Sequence, residues 1–173
     1  MNRIAVSFFL LLALNFSGCY FPRFNFTGAP GGETLPEDVQ TLSILQFDNQ
    51  ASIVVPSLTQ TIAEDLRDVF QSRTKLRLVQ NAGDMNLTGT ISDYDVSPIS
   101  IQGNDLASQN RLTISVHLEM ECPSHEELAW KADFTNFSDF GADQQLSDIE
   151  DALIEEILRK IVQDIFNKAF GNW

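Results

Sequence analysis

Few residues in this chain have the types and spacing that chemistry needs. Cys122 and His125 stand three apart, a C-x-x-H arrangement that could supply half of a tetrahedral zinc site, but no second pair follows to complete it. Glu126-Glu127 and Glu155-Glu156 are paired carboxylates of the kind that do acid/base work. Neighbours on a strand or a helix point in different directions, however, so these pairs read as solvated surface. His117 is the only other histidine, Gly31-Gly32 lacks the context of a phosphate loop, and there is no G-x-S-x-G motif. The residues therefore lead to no enzyme, no catalytic group, no metal and no cofactor.

The remaining reactive candidate is Cys19. It follows "IAVSFFLLLALNFSG", in which an apolar run of about 11 residues is too short for a helix to cross ~30 Å of hydrocarbon. A basic Arg3, a short apolar stretch and then small residues make a secretory signal over 1–18. Ser17-Gly18-Cys19 resembles the lipobox of bacterial lipoproteins, although Phe16 stands where leucine is usual. That resemblance implies that Cys19 is lipidated and becomes the mature amino terminus, which leaves Cys122 as a lone, hydrophobic thiol. The alternative is an ordinary signal with a coincidental cysteine.

Removal of residues 1–18 leaves 155, enough for one core, and 43% hydrophobic content with 13 phenylalanines predicts a folded body. The formal charge is -13, and loss of Arg3 makes it -14. A surface so acidic excludes nucleic acid and simple adhesion to anionic lipid, so membrane attachment must be covalent. Residues 19–36, rich in proline and glycine, read as a tether, with a single domain over 37–173.

The domain's elements follow from periodicity. "TLSILQF" is a strand, and Leu58, Ile62, Leu66, Val69 and Phe70 recur at helical spacing behind a capping box of Ser57 and Gln60. "KLRLV" with "MNLTGTISDYDV", then "RLTISVHLEME" and "LAWKADF", predict strands, with "SPISIQGND" as a loop. A terminal helix carries Leu146, Ile149, Leu153, Ile157, Ile161 and Ile165, with Ser147 and Glu150 as its capping box and Gly171 as its stop. The expected order is β-α-β-β-β-α. This is an α+β two-layer sandwich, a sheet of about four strands with two helices on one face. The other face carries a hydrogen-bonding, uncharged row of Thr88, Thr90, Ser92, Thr113 and Ser115, beside His117, Lys131 and Asp133.

Four stretches together carry a resemblance to a family: "FNFTGA", "PSLTQTIAEDLRDVF", "SPISIQGND" with "NRLTISV", and "IEDALIEEILRKIVQDIFNKAFGNW". They resemble a divergent branch of the lipopolysaccharide-assembly lipoprotein family LptE over nearly all of residues 20–173. The resemblance implies an outer-membrane lipoprotein on the periplasmic side, plugging the β-barrel LptD and helping that barrel's assembly and lipopolysaccharide delivery. It further implies contact with lipopolysaccharide through basic residues, for which Arg111 and Lys131 are the nearest cations. A plug meets a polar lumen, so Thr113 and Ser115 on the polar face and Gln102 in the loop are the barrel-contact candidates. The alternative is a generic lipid-anchored periplasmic adaptor of another outer-membrane machine.

Overall fold

The computed structural model describes residues 35–99 and 109–170. Two short strands, β1 (Thr41–Ile44) and β2 (Asp48–Asn49), precede helix α1 (Leu58–Arg73). Then come β3 (Arg77–Val79), β4 (Met85–Ile99), β5 (Gln109–Glu121), a 3-10 turn (Glu126–Leu128), β6 (Trp130–Gly141) and helix α2 (Leu146–Phe170). The strands form one mixed sheet in the order β3-β1-β4-β5-β6, with β2 also pairing β4. β1 runs parallel to β3 and β4, whereas β4, β5 and β6 form an antiparallel meander. The α+β class and both helices are as expected, but the sheet has six strands. β2 is two residues long, too short to leave a periodic signal, and β3 falls in "KLRLV", which the sequence joins to the β4 stretch as one strand.

Both helices pack on one face of the sheet around a single core. From β5 it takes Leu112, Ile114, Val116, Leu118 and Met120, and from α2 it takes Leu153, Ile157, Leu158, Ile161 and Ile165. Burial of one face of a strand and one broad stripe of a helix is what periods of 2 and 3.6 dictate. Trp130 and Phe134 also face the core but are only partly buried, meeting edge to face at 6.1 Å. Gly89 faces inward from β4, and the Phe47 ring fills the space its missing side chain leaves: a Cβ there would lie 2.1 Å from Phe47 Cε1.

The strands run further than the alternation showed. β4 continues through Ser97, Pro98 and Ile99, paired with Arg111, Asn110 and Gln109, where a loop was expected. β6 starts at Trp130 and reaches Gly141, because Leu128 belongs to the 3-10 turn. Its second half hides its period, since Asn136 and Ser138 occupy the core-facing register. Helix α2 satisfies both: Asn136 donates to Asp164 at 2.8 Å and Ser138 to Glu156 at 2.9 Å. Polar side chains on a covered face are kept by such partners.

Neither expected capping box forms. The Ser57 backbone is already helical and its hydroxyl makes no cap bond, while Gln60 donates to Glu64. Helix α2 begins at Leu146, which places Ser147 inside it. Glu150 instead accepts from the Tyr94 hydroxyl at 2.6 Å. Burial first, and then that carboxylate, push the Tyr94 phenol well above its ordinary range. Gly171, Gln102 and Cys19 lie outside the described residues. Among the described residues, no helix is long and apolar enough to cross a membrane.

Candidate functional site: the polar face of the sheet

The face turned away from the helices is built by β4, β5 and β6, and its side chains pair across strands. Lys131 forms an ion pair with Glu119. Next along the strands, His117 Nδ1 lies 2.7 Å from Asp133, and the Ser115 and Thr135 hydroxyls are 2.8 Å apart. At the far end the Arg111 guanidinium donates to both Asp139 oxygens, at 2.7 and 2.9 Å, and its Cζ sits 3.6 Å above the Phe137 ring centroid. The bidentate contact raises the Arg111 pKa and lowers that of Asp139. Directly opposed residues on one face of an antiparallel pair meet in this way. The result is a ladder with an ion pair at each end and hydrogen-bonded side chains between them.

The β4 side differs from the uncharged row read in sequence. The β4–β5 register shifts between Ile91 and Asp93, a bulge that carries one extra residue. Ser92 therefore drops out of the pairing, and Asp93 and Asp95 stand opposite Ser115 and Thr113. Both aspartates are exposed, and neither has an ion-pair partner among the described residues. The middle of the face is thus neutral on β5 and β6 and acidic on β4. Where the chain bends between β1 and β2, a hollow of about 270 Å³ opens on this face, lined by Gln46, Asp48, Thr88, Thr90, His117 and Glu119.

The candidates divide accordingly. Thr113 and Ser115 lie side by side on this face, half-buried in the middle of β5. Arg111 and Lys131 lie at its opposite ends, each already holding a carboxylate. The reading stopped short of Phe137 and Asp139, although Phe137, 42% exposed, is the one exposed large apolar side chain on this surface among the described residues. The alternation of Thr135, Phe137 and Asp139 was the available signal, masked by Asn136 and Ser138.

The other chemical candidates are used structurally. Cys122 is a buried free thiol. His125 Nδ1 lies 2.8 Å from Glu127 and its Nε2 3.1 Å from Asp38, and those carboxylates raise the imidazole pKa. Glu155 and Glu156 pair separately with Arg159 and Lys160. Asp84 receives the amides of Gln40 and Thr41 and the Thr41 hydroxyl, bonds that lower its pKa and fix the start of β1.

A family model described as LptE, lipopolysaccharide-assembly, matches residues 39–169, from just before β1 almost to the end of α2. No curated protein matches the chain in sequence. Several solved structures are similar in fold. A minor lipoprotein from Acinetobacter baumannii is 12% identical, covers 73% of this chain and 89% of its own, and has a TM-score of 0.48. Rare lipoprotein B from Shewanella oneidensis is 14% identical, with coverage of 73% and 90% and a TM-score of 0.46. The lipoprotein GNA1162 from Neisseria meningitidis is 11% identical, with coverage of 72% and 99% and a TM-score of 0.43.

Proposed function

Since the chain belongs to the LptE lipopolysaccharide-assembly family, we propose that it is a non-enzymatic outer-membrane lipoprotein that plugs the β-barrel LptD. In this reading Cys19 carries the lipid that holds the domain at the periplasmic side of the outer membrane. The domain then supports barrel assembly and lipopolysaccharide delivery. The family match along the whole folded body carries the proposal.

The polar sheet face supports it physically. The inner wall of a transmembrane barrel is polar. A surface whose charges are already paired loses little when such a wall covers it, whereas unpaired charges would be left desolvated. The β5–β6 ladder, from the Glu119–Lys131 pair to the Arg111–Asp139 pair, has that character, with Thr113 and Ser115 at its middle. Asp93 and Asp95 then call for donors or cations on the partner. Lipopolysaccharide phosphates would have to compete with Asp139 for Arg111 or with Glu119 for Lys131, and Lys131 is the more exposed of the two cations.

Photo-cross-linkers at Thr113 and Gln102 should capture a large β-barrel protein in intact cells. Exposed Asp68 on α1 serves as the comparison. Capture from Asp68 alone would place the contact on the helices, and capture from no position in a functional strain would defeat the plug reading.

A further inference from the structure

Strand β6 ends the sheet: β5 pairs one side of it and, among the described residues, no strand pairs the other. It has 12 residues, about twice the usual strand length of roughly 5–6, and such an edge offers a row of free N–H and C=O groups to another chain. One bond tells which residues carry that row. The Phe137 carbonyl accepts from Lys160 Nζ at 3.1 Å, so it points away from β5. A residue's N–H and C=O leave an antiparallel strand on the same side, alternating from residue to residue. Lys131, Asp133, Thr135, Phe137 and Asp139 therefore present their backbone outward, and all are exposed. Among the described residues, only Phe137 of these has that backbone covered by a side chain. On the opposite face of the same strand, Trp130 and Phe134 are only partly buried against the core.

We propose that β6 pairs antiparallel with β6 of a second copy of this chain, about a two-fold axis through Thr135, so that one sheet runs across both molecules. Charge selects this register. It sets Lys131 opposite Asp139 of the second copy, Asp133 opposite Phe137 and Thr135 opposite itself, and the two-fold axis makes each unlike contact twice. Glu119 already pairs with Lys131, and Arg111 with Asp139. The row across the joint sheet therefore reads Glu119, Lys131, Asp139, Arg111, with signs alternating. Opposite charges facing each other across strands stabilise a sheet, and like charges destabilise it. Centred on Asn136, the same strands oppose Asp133 to Asp139; centred on Asp133, they oppose that residue to itself. Centred on Phe134, they leave Lys131 without its second carboxylate. The Thr135 register also keeps nearly the whole strand, 130–140, in the pairing. On the core-side face it brings the two Phe134 rings together diagonally and sets Trp130 opposite Phe140, separations that aromatic side chains span. Lys160 must leave the Phe137 carbonyl, which then accepts the Asp133 amide of the second copy, while its bond to Glu156 at 2.8 Å remains. The net charge of -13 opposes association, so the pairing is best tested near 0.15 M salt, where charges beyond about 8 Å are screened and those in contact are not. The proposal does not depend on the barrel partnership.

Sedimentation equilibrium of the full-length protein in density-matched detergent should show a reversible monomer–dimer equilibrium. Thr135→Pro removes an N–H that β5 does not use, a change that edge strands tolerate. It should weaken the dimer at least about tenfold and keep the melting temperature of the domain. Disulfide trapping reads the register, and does so whether or not the proline variant folds. A mixture of Asp133→Cys and Phe137→Cys proteins should give cross-linked dimers under mild oxidation, and neither variant alone should. Thr135→Cys should cross-link with its own copy, whereas Asp68→Cys, exposed on α1, should not. A monomer at every concentration up to about 1 mM, a dimer indifferent to a folded Thr135→Pro, no trapping in the mixture, or trapping of Asp133→Cys with itself would overturn the proposal.

Discussion

Gly89→Ala tests the packing of Phe47, just before β2, against β4 most directly. The added Cβ would lie 2.1, 2.5 and 2.6 Å from three atoms of the Phe47 ring. Carbon atoms attract best at about 3.5–4.0 Å, so the ring or the strand must move by more than an ångström. Phe47 is only 2% exposed. Complete expulsion of its ring forfeits roughly 1.5–3 kcal/mol of burial, and keeping it in place costs a similar ~1–3 kcal/mol in overpacking. Against this, alanine is favoured over glycine within a strand by roughly 0.5–1 kcal/mol. The net expectation is about 1–2 kcal/mol of destabilisation. At roughly 3 °C per kcal/mol for a domain of this size, the melting temperature should fall by about 3–6 °C. Urea unfolding followed by Trp130 fluorescence would measure the change. Phe47→Leu shortens the side chain where the clash occurs, so the double variant should be more stable than the sum of the single losses by about 1 kcal/mol or more. A Gly89→Ala protein as stable as wild type, or strict additivity with Phe47→Leu, would refute the reasoning.

The remaining predictions concern the core, a histidine, an aspartate and the anchor. Ile157 is fully buried, so Ile157→Ala should cost about 2–5 kcal/mol by leaving a cavity, and Ile157→Asp more, read from the same urea curves. The His125 pKa is raised by Glu127 and Asp38. Its stabilisation is therefore fully present below about pH 6.5, the ordinary value, and is lost as pH rises through the elevated folded value. His125→Gln should flatten that part of the stability–pH curve, and a curve identical to wild type would remove the imidazolium from the account. Asp84, whose pKa is lowered by Thr41 and by the Gln40 and Thr41 amides, acts in the opposite direction. Its contribution is present above about pH 4 and fades as pH falls, so Asp84→Asn should be less stable near pH 7 and lose less on acidification. Cys19→Ala should leave the precursor unprocessed or release the protein from outer-membrane fractions, since stable anchoring takes more than one acyl chain. Normal retention, with no lipid detected on the wild type, would end that reading.

The sequence by itself determined the elements whose side chains repeat over many residues. The ten-residue alternation of β5 and the 3.6 period of α2 specify which face of each is covered, and both faces are buried as read. Such patterns are local, because burial of one side is written into every second or every third to fourth position. Tertiary structure alone decided the rest. The bulge that replaces Ser92 by Asp93 comes from the pairing of β4 with β5, and no composition signal marks it. The length of β6 was hidden because Asp164 and Glu156, on a helix about twenty residues further along the chain, satisfy Asn136 and Ser138. Arg111 and Lys131 read as free cations until strand register set Asp139 and Glu119 opposite them. The helical spacing around Arg67 says nothing of what that side chain meets. Only the crossover from β1 to β3 sets it beside a strand end in a cleft without a carboxylate. Charge pairing and clefts depend on which distant residues meet, and only the assembled sheet decides that.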